Sequence, residues 1–84
     1  MTEEFSQRVL NAIAQTLHKP VEHFRLDASF EELGIDSLDG INILFALENE
    51  FGVQIPDEAA RNVKNLREMA EGVWKLAEAK QAAE

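Results

Sequence analysis

The chain has 84 residues, of which 45% are hydrophobic and 29% charged, and its formal net charge at pH 7 is -8. This length allows one domain, residues 1–84, and the apolar share is too high for a chain that is disordered throughout. The absence of cysteine excludes disulfide bonds and thiolate zinc sites, and it is compatible with the reducing cytoplasm, where we expect a monomeric protein.

The negative charge is concentrated in residues 31–58, which contain eight acidic side chains and neither lysine nor arginine. The acidic residues of this segment are Glu31, Glu32, Asp36, Asp39, Glu48, Glu50, Asp57 and Glu58. A surface of this kind repels phosphate, which argues against nucleic acid or anionic lipid as partners. The longest apolar run, residues 43–47, is too short to span a membrane.

The first predicted helix begins after Thr2, which can cap it, and its opening turn carries Glu3 and Glu4. Four apolar residues at a spacing of four predict its buried stripe: Phe5, Val9, Ile13 and Leu17. Lys19 and Pro20 predict its end, with the lysine in the last turn. Residues 21–36 lack periodicity but are rich in apolar side chains, so we expect a long packed loop with one helical turn near residues 29–33.

A turn at Gly34 precedes the second predicted helix, which Asp36 caps and which runs to about Phe51 before Gly52 stops it. A short third helix is predicted from Pro56 to about residue 63. The last helix follows a capping box of Asn65 and Glu68, and its tail after residue 80 is expected to fray. Its inner face would consist of Leu66, Met69, Ala70, Val73 and Ala77. The predicted fold class is therefore all-α, a small four-helix bundle with three longer helices, a short third helix and a long loop between helices 1 and 2.

The second helix has more apolar residues than burial requires. One face consists of Ile43, Leu44, Leu47 and Phe51, and Gly40, one turn earlier, is expected to allow close backbone approach. A second apolar set follows Ser37 and consists of Leu38, Ile41 and Phe45. This set is either additional core or an exposed patch with a charged rim of Asp36, Asp39 and Glu48, as in the centre of a protein interface.

Ser37 is the serine inside the acidic segment. Three roles are possible for it: helix cap, catalytic nucleophile, or a residue that another enzyme modifies. It can cap the helix, although Asp36 already serves as a cap. As a nucleophile it lacks an adjacent base, since His18 and His23 lie at the end of the first helix and in the loop. The carboxylates around it do not have calcium-loop spacing, so we expect no metal site. An accessible serine without activation fits a residue that another enzyme modifies, and we expect the chain itself to have no catalytic activity.

The stretch Leu33-Gly34-Ile35-Asp36-Ser37-Leu38 resembles the acyl carrier protein family, whose Asp-Ser-Leu motif carries a 4′-phosphopantetheine arm. The resemblance extends from Phe5 to about Val73. It includes Asp39, Ala46-Leu47-Glu48, Glu50-Phe51-Gly52, Ile55-Pro56-Asp57-Glu58, Val63, Leu66, Met69 and Val73.

The resemblance implies that Ser37 receives the arm from coenzyme A through a magnesium-dependent phosphopantetheinyl transferase. The thiol of the arm would then carry acyl groups as thioesters, and their apolar tails could be sheltered between the helices. Partners with basic docking surfaces, the transferase and acyl-transferring or synthase enzymes, would contact Asp36, Leu38, Asp39, Ile41, Phe45, Glu48 and Glu50.

The pathway is left open between fatty-acid synthesis and a specialised polyketide or lipid pathway. Four positions that are often acidic in fatty-acid carriers are not acidic here: Asn42, Asn49, Gln54 and Arg61. Peptidyl carriers often have a glycine at the position of Ile35, so amino-acid loading is disfavoured. The alternative from another functional class is a non-catalytic helical adaptor that binds a basic protein through the acidic second helix, without a prosthetic group.

Overall fold

The structure, a computed structural model, describes residues 2–83, except for the side chains of Asp57 and of residues 81–83. It contains four α-helices, α1 (Glu3–Leu17), α2 (Ser37–Phe51), α3 (Asp57–Asn62) and α4 (Leu66–Ala83), and a short 3₁₀ turn at Val21–His23. Extended pairing within the described residues is limited to an isolated bridge between Ser29 and Asn65. The predicted all-α fold with a short third helix and a long first loop is confirmed.

Helix α1 begins as predicted but ends earlier. The Thr2 hydroxyl accepts a hydrogen bond of 3.1 Å from the backbone N–H of Phe5, which satisfies one of the free donors of the first turn. The helix ends at Leu17, because His18 adopts a left-handed conformation with φ 57°. The N–H of Lys19 then donates to the carbonyl of Ala14 at 3.0 Å, which is a C-terminal cap usually made by glycine. The predicted end at Lys19 and Pro20, with the lysine in the last turn, is therefore wrong by two residues.

Both ends of α2 agree with the prediction. Asp36 Oδ1 accepts from the N–H of Asp39 at 2.8 Å, so Asp36 is the cap and the acid of the first turn is Asp39. At the other end Gly52 takes φ 64°, the left-handed conformation that glycine adopts without steric cost. The Gly52 carbonyl, one of the free acceptors of the helix end, receives a 2.7 Å hydrogen bond from Lys80 Nζ on α4.

Helices α3 and α4 also lie close to their predicted positions. Pro56 precedes α3, which ends one residue before the predicted limit. Asn65 Oδ1 accepts from the Glu68 N–H at 2.8 Å, and Glu68 Oε1 accepts from the Lys64 N–H at the same distance. The capping box is thus present, with the acid reaching one residue further back than in the usual motif. Helix α4 continues to Ala83. The fraying expected after residue 80 stays a prediction.

The core lies between α1, α2 and α4. Its fully buried large side chains are Val9, Ile13, Ile43, Leu47, Leu66 and Val73. At one end of the bundle Phe5 lies 4.6 Å from the ring of Phe51 and 5.0 Å from the ring of Trp74, centroid to centroid. Aromatic pairs at these distances stabilise the fold beyond what the burial of their apolar area contributes. The core fixes the face of α2 that points inward and thereby the face that remains outside.

The long loop is tied to the beginning of α4. The N–H of Phe30 donates to the carbonyl of Lys64, and the N–H of Leu66 donates to the carbonyl of Ala28, each at 3.2 Å. Within the loop, the side chains of Ser29 and Glu32 cap each other's backbone N–H groups at 3.0 and 3.1 Å. The turn predicted near residues 29–33 is confirmed, and these contacts determine where the loop delivers the start of α2.

Candidate functional site

Ser37 is the first residue of α2 and its side chain is exposed. The capping bond at this helix end comes from the neighbouring Asp36 carboxylate and not from the serine. The hydroxyl is therefore accessible and is not needed to begin the helix. It also lies at the positive end of the helix dipole, where a negatively charged group is stabilised.

Three large apolar side chains of α2 point to solvent, at 67% exposure for Leu38, 47% for Ile41 and 60% for Phe45. We call these three residues the docking face. Ile43 and Leu47, on the opposite side of the same helix, are completely buried. The second apolar set predicted from the sequence is therefore surface and not additional core. An exposed apolar group of this size next to charged residues is typical of a protein interaction site.

The predicted acidic contacts are not equivalent in the structure. Asp36 is exposed and Asp39 is half-buried at the start of α2. Glu48 is half-buried and its Oε2 accepts from the N–H of Ile55 at 2.8 Å, so it also holds the loop after α2 in place.

Glu50 lies on the α1 side of the helix and forms a 2.9 Å ion pair with Arg8. The Arg8 guanidinium in turn lies 4.6 Å from the centre of the Phe51 ring. Two of the predicted acidic residues, Glu48 and Glu50, thus have structural partners within the chain.

A cavity of about 550 Å³ opens beside the serine, between the first half of α2, the loop before it, α3 and the start of α4. We call it the Ser37 cavity. Its lining is mostly apolar and consists of Phe30, Ile35, Asp36, Ser37, Gly40, Ile41, Leu44, Ala60, Arg61, Val63 and Met69. A second cavity of about 270 Å³ shares four lining residues with it, Leu44, Ala60, Val63 and Met69. These apolar residues thus border both cavities.

The expected close backbone approach at Gly40 is not found. A Cβ atom added there would meet no atom within 4 Å beyond its own stretch of helix, because the glycine faces the Ser37 cavity. The absence of a side chain at this position enlarges the cavity instead of bringing two helices together.

The two histidines are exposed and neither lines the Ser37 cavity. His18 ends α1 and His23 belongs to the 3₁₀ turn, where its ring packs against Phe24. The serine therefore has no imidazole beside it that could accept its proton. None of the helices in residues 2–83 is long and apolar enough to cross a membrane.

Comparisons with known proteins agree with this geometry. The family model described as a phosphopantetheine attachment site matches residues 7–73. Two acyl carrier proteins from different strains of Rickettsia bellii are each 37% identical over 68 residues, which is 80% of this chain and 79% or 84% of theirs. The chain belongs to the acyl carrier protein family. The fold is similar to the solution structure of the acetyl actinorhodin acyl carrier protein from Streptomyces coelicolor, with a TM-score of 0.67, 29% identity, and coverage of 95% of this chain and 94% of that one.

Membership of this family means that the chain is a carrier and not a catalyst, and that it holds 4′-phosphopantetheine covalently. The residues present fit such a group. An exposed, non-capping hydroxyl provides an oxygen that can be modified, and the mostly apolar cavity beside it leaves space next to that oxygen.

The cavity itself does not follow from the sequence. Phe30, Ile35 and Met69 are apolar, but no spacing in the sequence shows that they face a common space with Ser37. Arg61 was noted only as a non-acidic position, although it lines the same cavity.

Proposed function

We propose that Ser37 is the attachment site of the 4′-phosphopantetheine arm, and that the protein carries acyl groups as thioesters for a series of enzymes. The observation that carries this proposal is the accessible Ser37 hydroxyl at the start of α2, with Asp36 serving as the cap and an apolar cavity alongside. The position at the helix N-terminus favours the negative charge that a phosphodiester brings.

The chain's own part in loading is to present the serine oxygen. In the transferase, that oxygen would form a new bond to the phosphorus that bears the pantetheine in coenzyme A. The bond from this phosphorus to the bridging oxygen would break, adenosine 3′,5′-bisphosphate would leave, and the hydroxyl proton would pass to the transferase. The arm then supplies a thiol that holds the acyl group as a thioester. An exposed hydroxyl that does not act as the helix cap suits this role. Since neither histidine lines the Ser37 cavity, we expect the transferase to supply the base.

For partner binding we propose the docking face together with Asp36, Asp39 and Glu48 at its border. The apolar residues would be buried in the complex, while the carboxylates would speed the approach of basic surfaces on the transferase and on acyl-transferring or synthase enzymes. Glu50 remains part of the prediction, although its ion pair with Arg8 reduces the charge that it offers to a partner.

The pathway that we propose is fatty-acid synthesis or a specialised polyketide or lipid pathway. One structural relative is an actinorhodin carrier, which supports keeping the specialised pathways beside the fatty-acid one. Asn42 and Asn49 leave the exposed side of α2 less negative than it would be with acids there. The cargo found by mass spectrometry on protein isolated from its own cells would distinguish these pathways. A cytoplasmic location remains a prediction.

Intact-mass measurement tests the attachment site directly. The purified protein is incubated with coenzyme A, magnesium and a broad-specificity phosphopantetheinyl transferase, and we expect the mass of one arm to be added. Ser37→Ala should abolish the addition, whereas Ser6→Ala, a control at a serine whose hydroxyl donates to the Thr2 carbonyl, should leave it unchanged. Modification that persists in Ser37→Ala would refute the assigned site, and a parent that stays unmodified would favour the adaptor alternative.

A further inference from the structure

The Ser37 cavity has one cationic side chain in its lining. Of its eleven lining residues, Arg61 is the basic one, Asp36 is the acidic one, and most of the others are apolar. Arg61 lies near the end of the short helix α3, across the cavity from the start of α2, and its side chain is exposed. Arg61 thus places a positive charge in the otherwise negative surface beside the serine.

We propose that Arg61 is a positioning residue for the arm, pairing its guanidinium with the phosphodiester attached to Ser37 and holding the first part of the arm over the cavity. This inference rests on the proposed attachment at Ser37. Both residues border the same cavity, and a guanidinium presents a planar set of N–H donors that matches phosphate oxygens.

The charges around the serine explain why a cation matters there. The phosphodiester would be attached one residue after Asp36, whose carboxylate already accepts the N–H of Asp39. Two negative groups this close repel each other, and the N-terminus of α2 supplies only a partial positive charge. Arg61 supplies a full positive charge from the opposite wall of the same cavity.

The groups that compete for Arg61 are acidic side chains on its own helix and on α2. Glu58 precedes it by one turn on α3 and is exposed, and Asp36 shares the cavity lining. A phosphodiester on Ser37 would add a second anion on the α2 side of the cavity. It would thereby increase the electrostatic attraction of Arg61 toward α2. The guanidinium should therefore shift toward Ser37 when the arm is attached.

Proton–nitrogen NMR of the arginine side chains tests this inference in the whole protein. Spectra are recorded before and after loading with the arm, and intact mass confirms that loading is complete. The chain has four arginines, Arg8, Arg25, Arg61 and Arg67, so three serve as internal controls. We expect the Nε–Hε signal of Arg61 to shift by more than those of the other three.

Phosphorus NMR of the loaded protein gives the complementary reading. Arg61→Gln should move the phosphodiester signal and remove most of its dependence on salt, and Arg61→Lys should restore part of that dependence. Lys64→Gln, which removes an exposed cation that does not line the cavity, should change neither. Complete loading with an unmoved Arg61 signal, or a phosphorus signal that Arg61→Gln leaves unchanged, would overturn the inference while the carrier function stands. A failure to load would count against the attachment site itself.

Discussion

Two leucines on α2 provide a direct test of how the helix divides its faces. Leu47 is 0% exposed and Leu38 is 67% exposed, although they are the same residue type on the same helix. Replacing a fully buried leucine by alanine removes its apolar transfer energy and leaves a cavity, which costs about 2–5 kcal/mol. For Leu47→Ala we expect the free energy of unfolding to fall by about 3 kcal/mol.

The value for Leu38→Ala follows from the third of its surface that is covered. Full burial of a leucine side chain contributes about 1.5–3 kcal/mol, so a third of that limits the loss to about 1 kcal/mol. Alanine is also a slightly better helix former than leucine, which lowers the expected loss to about 0.5 kcal/mol. Since 1 kcal/mol corresponds to about 4–8 °C in Tm for a domain of this size, the two variants should differ in Tm by at least about 10 °C.

Urea unfolding, followed by the fluorescence of Trp74, measures the free energy of unfolding of both variants. This single tryptophan is a suitable probe because it packs against Phe5 in the core. If Leu47→Ala is too unstable to analyse, Ile43→Val at another fully buried position should still fold and lose about 1 kcal/mol. Equal losses for Leu47→Ala and Leu38→Ala would refute the division of faces. A larger loss at Leu38 would place the docking face in the core.

Three further outcomes are expected. Gly52→Ala should lower the free energy of unfolding by about 1–2 kcal/mol in thermal melts, since φ 64° is costly for alanine, while the Lys80 amine 2.8 Å from the new Cβ can move aside. His18→Gly should raise it by about 1 kcal/mol, because φ 57° is costly for any residue with a side chain; an unchanged Tm would contradict this. Asp39→Lys should slow arm attachment at Ser37 and reduce its salt dependence, while Glu78→Lys on α4 should not; equal rates at low salt would argue against electrostatic docking.

The sequence predicts those parts of the fold that depend on local chemistry. The limits of α2 follow from a capping Asp36 and a terminating Gly52, and both residues act as expected. The end of α1 was misplaced because His18 takes a conformation that glycine usually provides. For the docking face the sequence left two possibilities open, additional core or exposed patch, and the exposure of its three residues in the folded chain decides for the patch.

The Ser37 cavity depends on tertiary placement that local patterns do not encode. Its walls come from the loop, α2, α3 and the start of α4, which are brought together by backbone bonds such as that from Phe30 to Lys64. These hydrogen bonds join backbone groups that are far apart in sequence. Because no side chain takes part in them, no sequence pattern predicts them. For the same reason Gly40 was assigned a helix contact instead of a place in the cavity wall.

The two walls of the Ser37 cavity differ in how firmly they are held. The α2 wall is continuous with the core through Ile43 and Leu47, whereas no described side chain of α3 belongs to the fully buried set. The α3 wall depends instead on half-buried contacts, on Glu48 holding the N–H of Ile55 before it, and on the bonds of Lys64 after it. Segments with few buried apolar contacts open at lower free energy than the core. We therefore expect the α3 wall to move more readily than the α2 wall, while the core keeps Ser37 and the docking face in a fixed relation on α2.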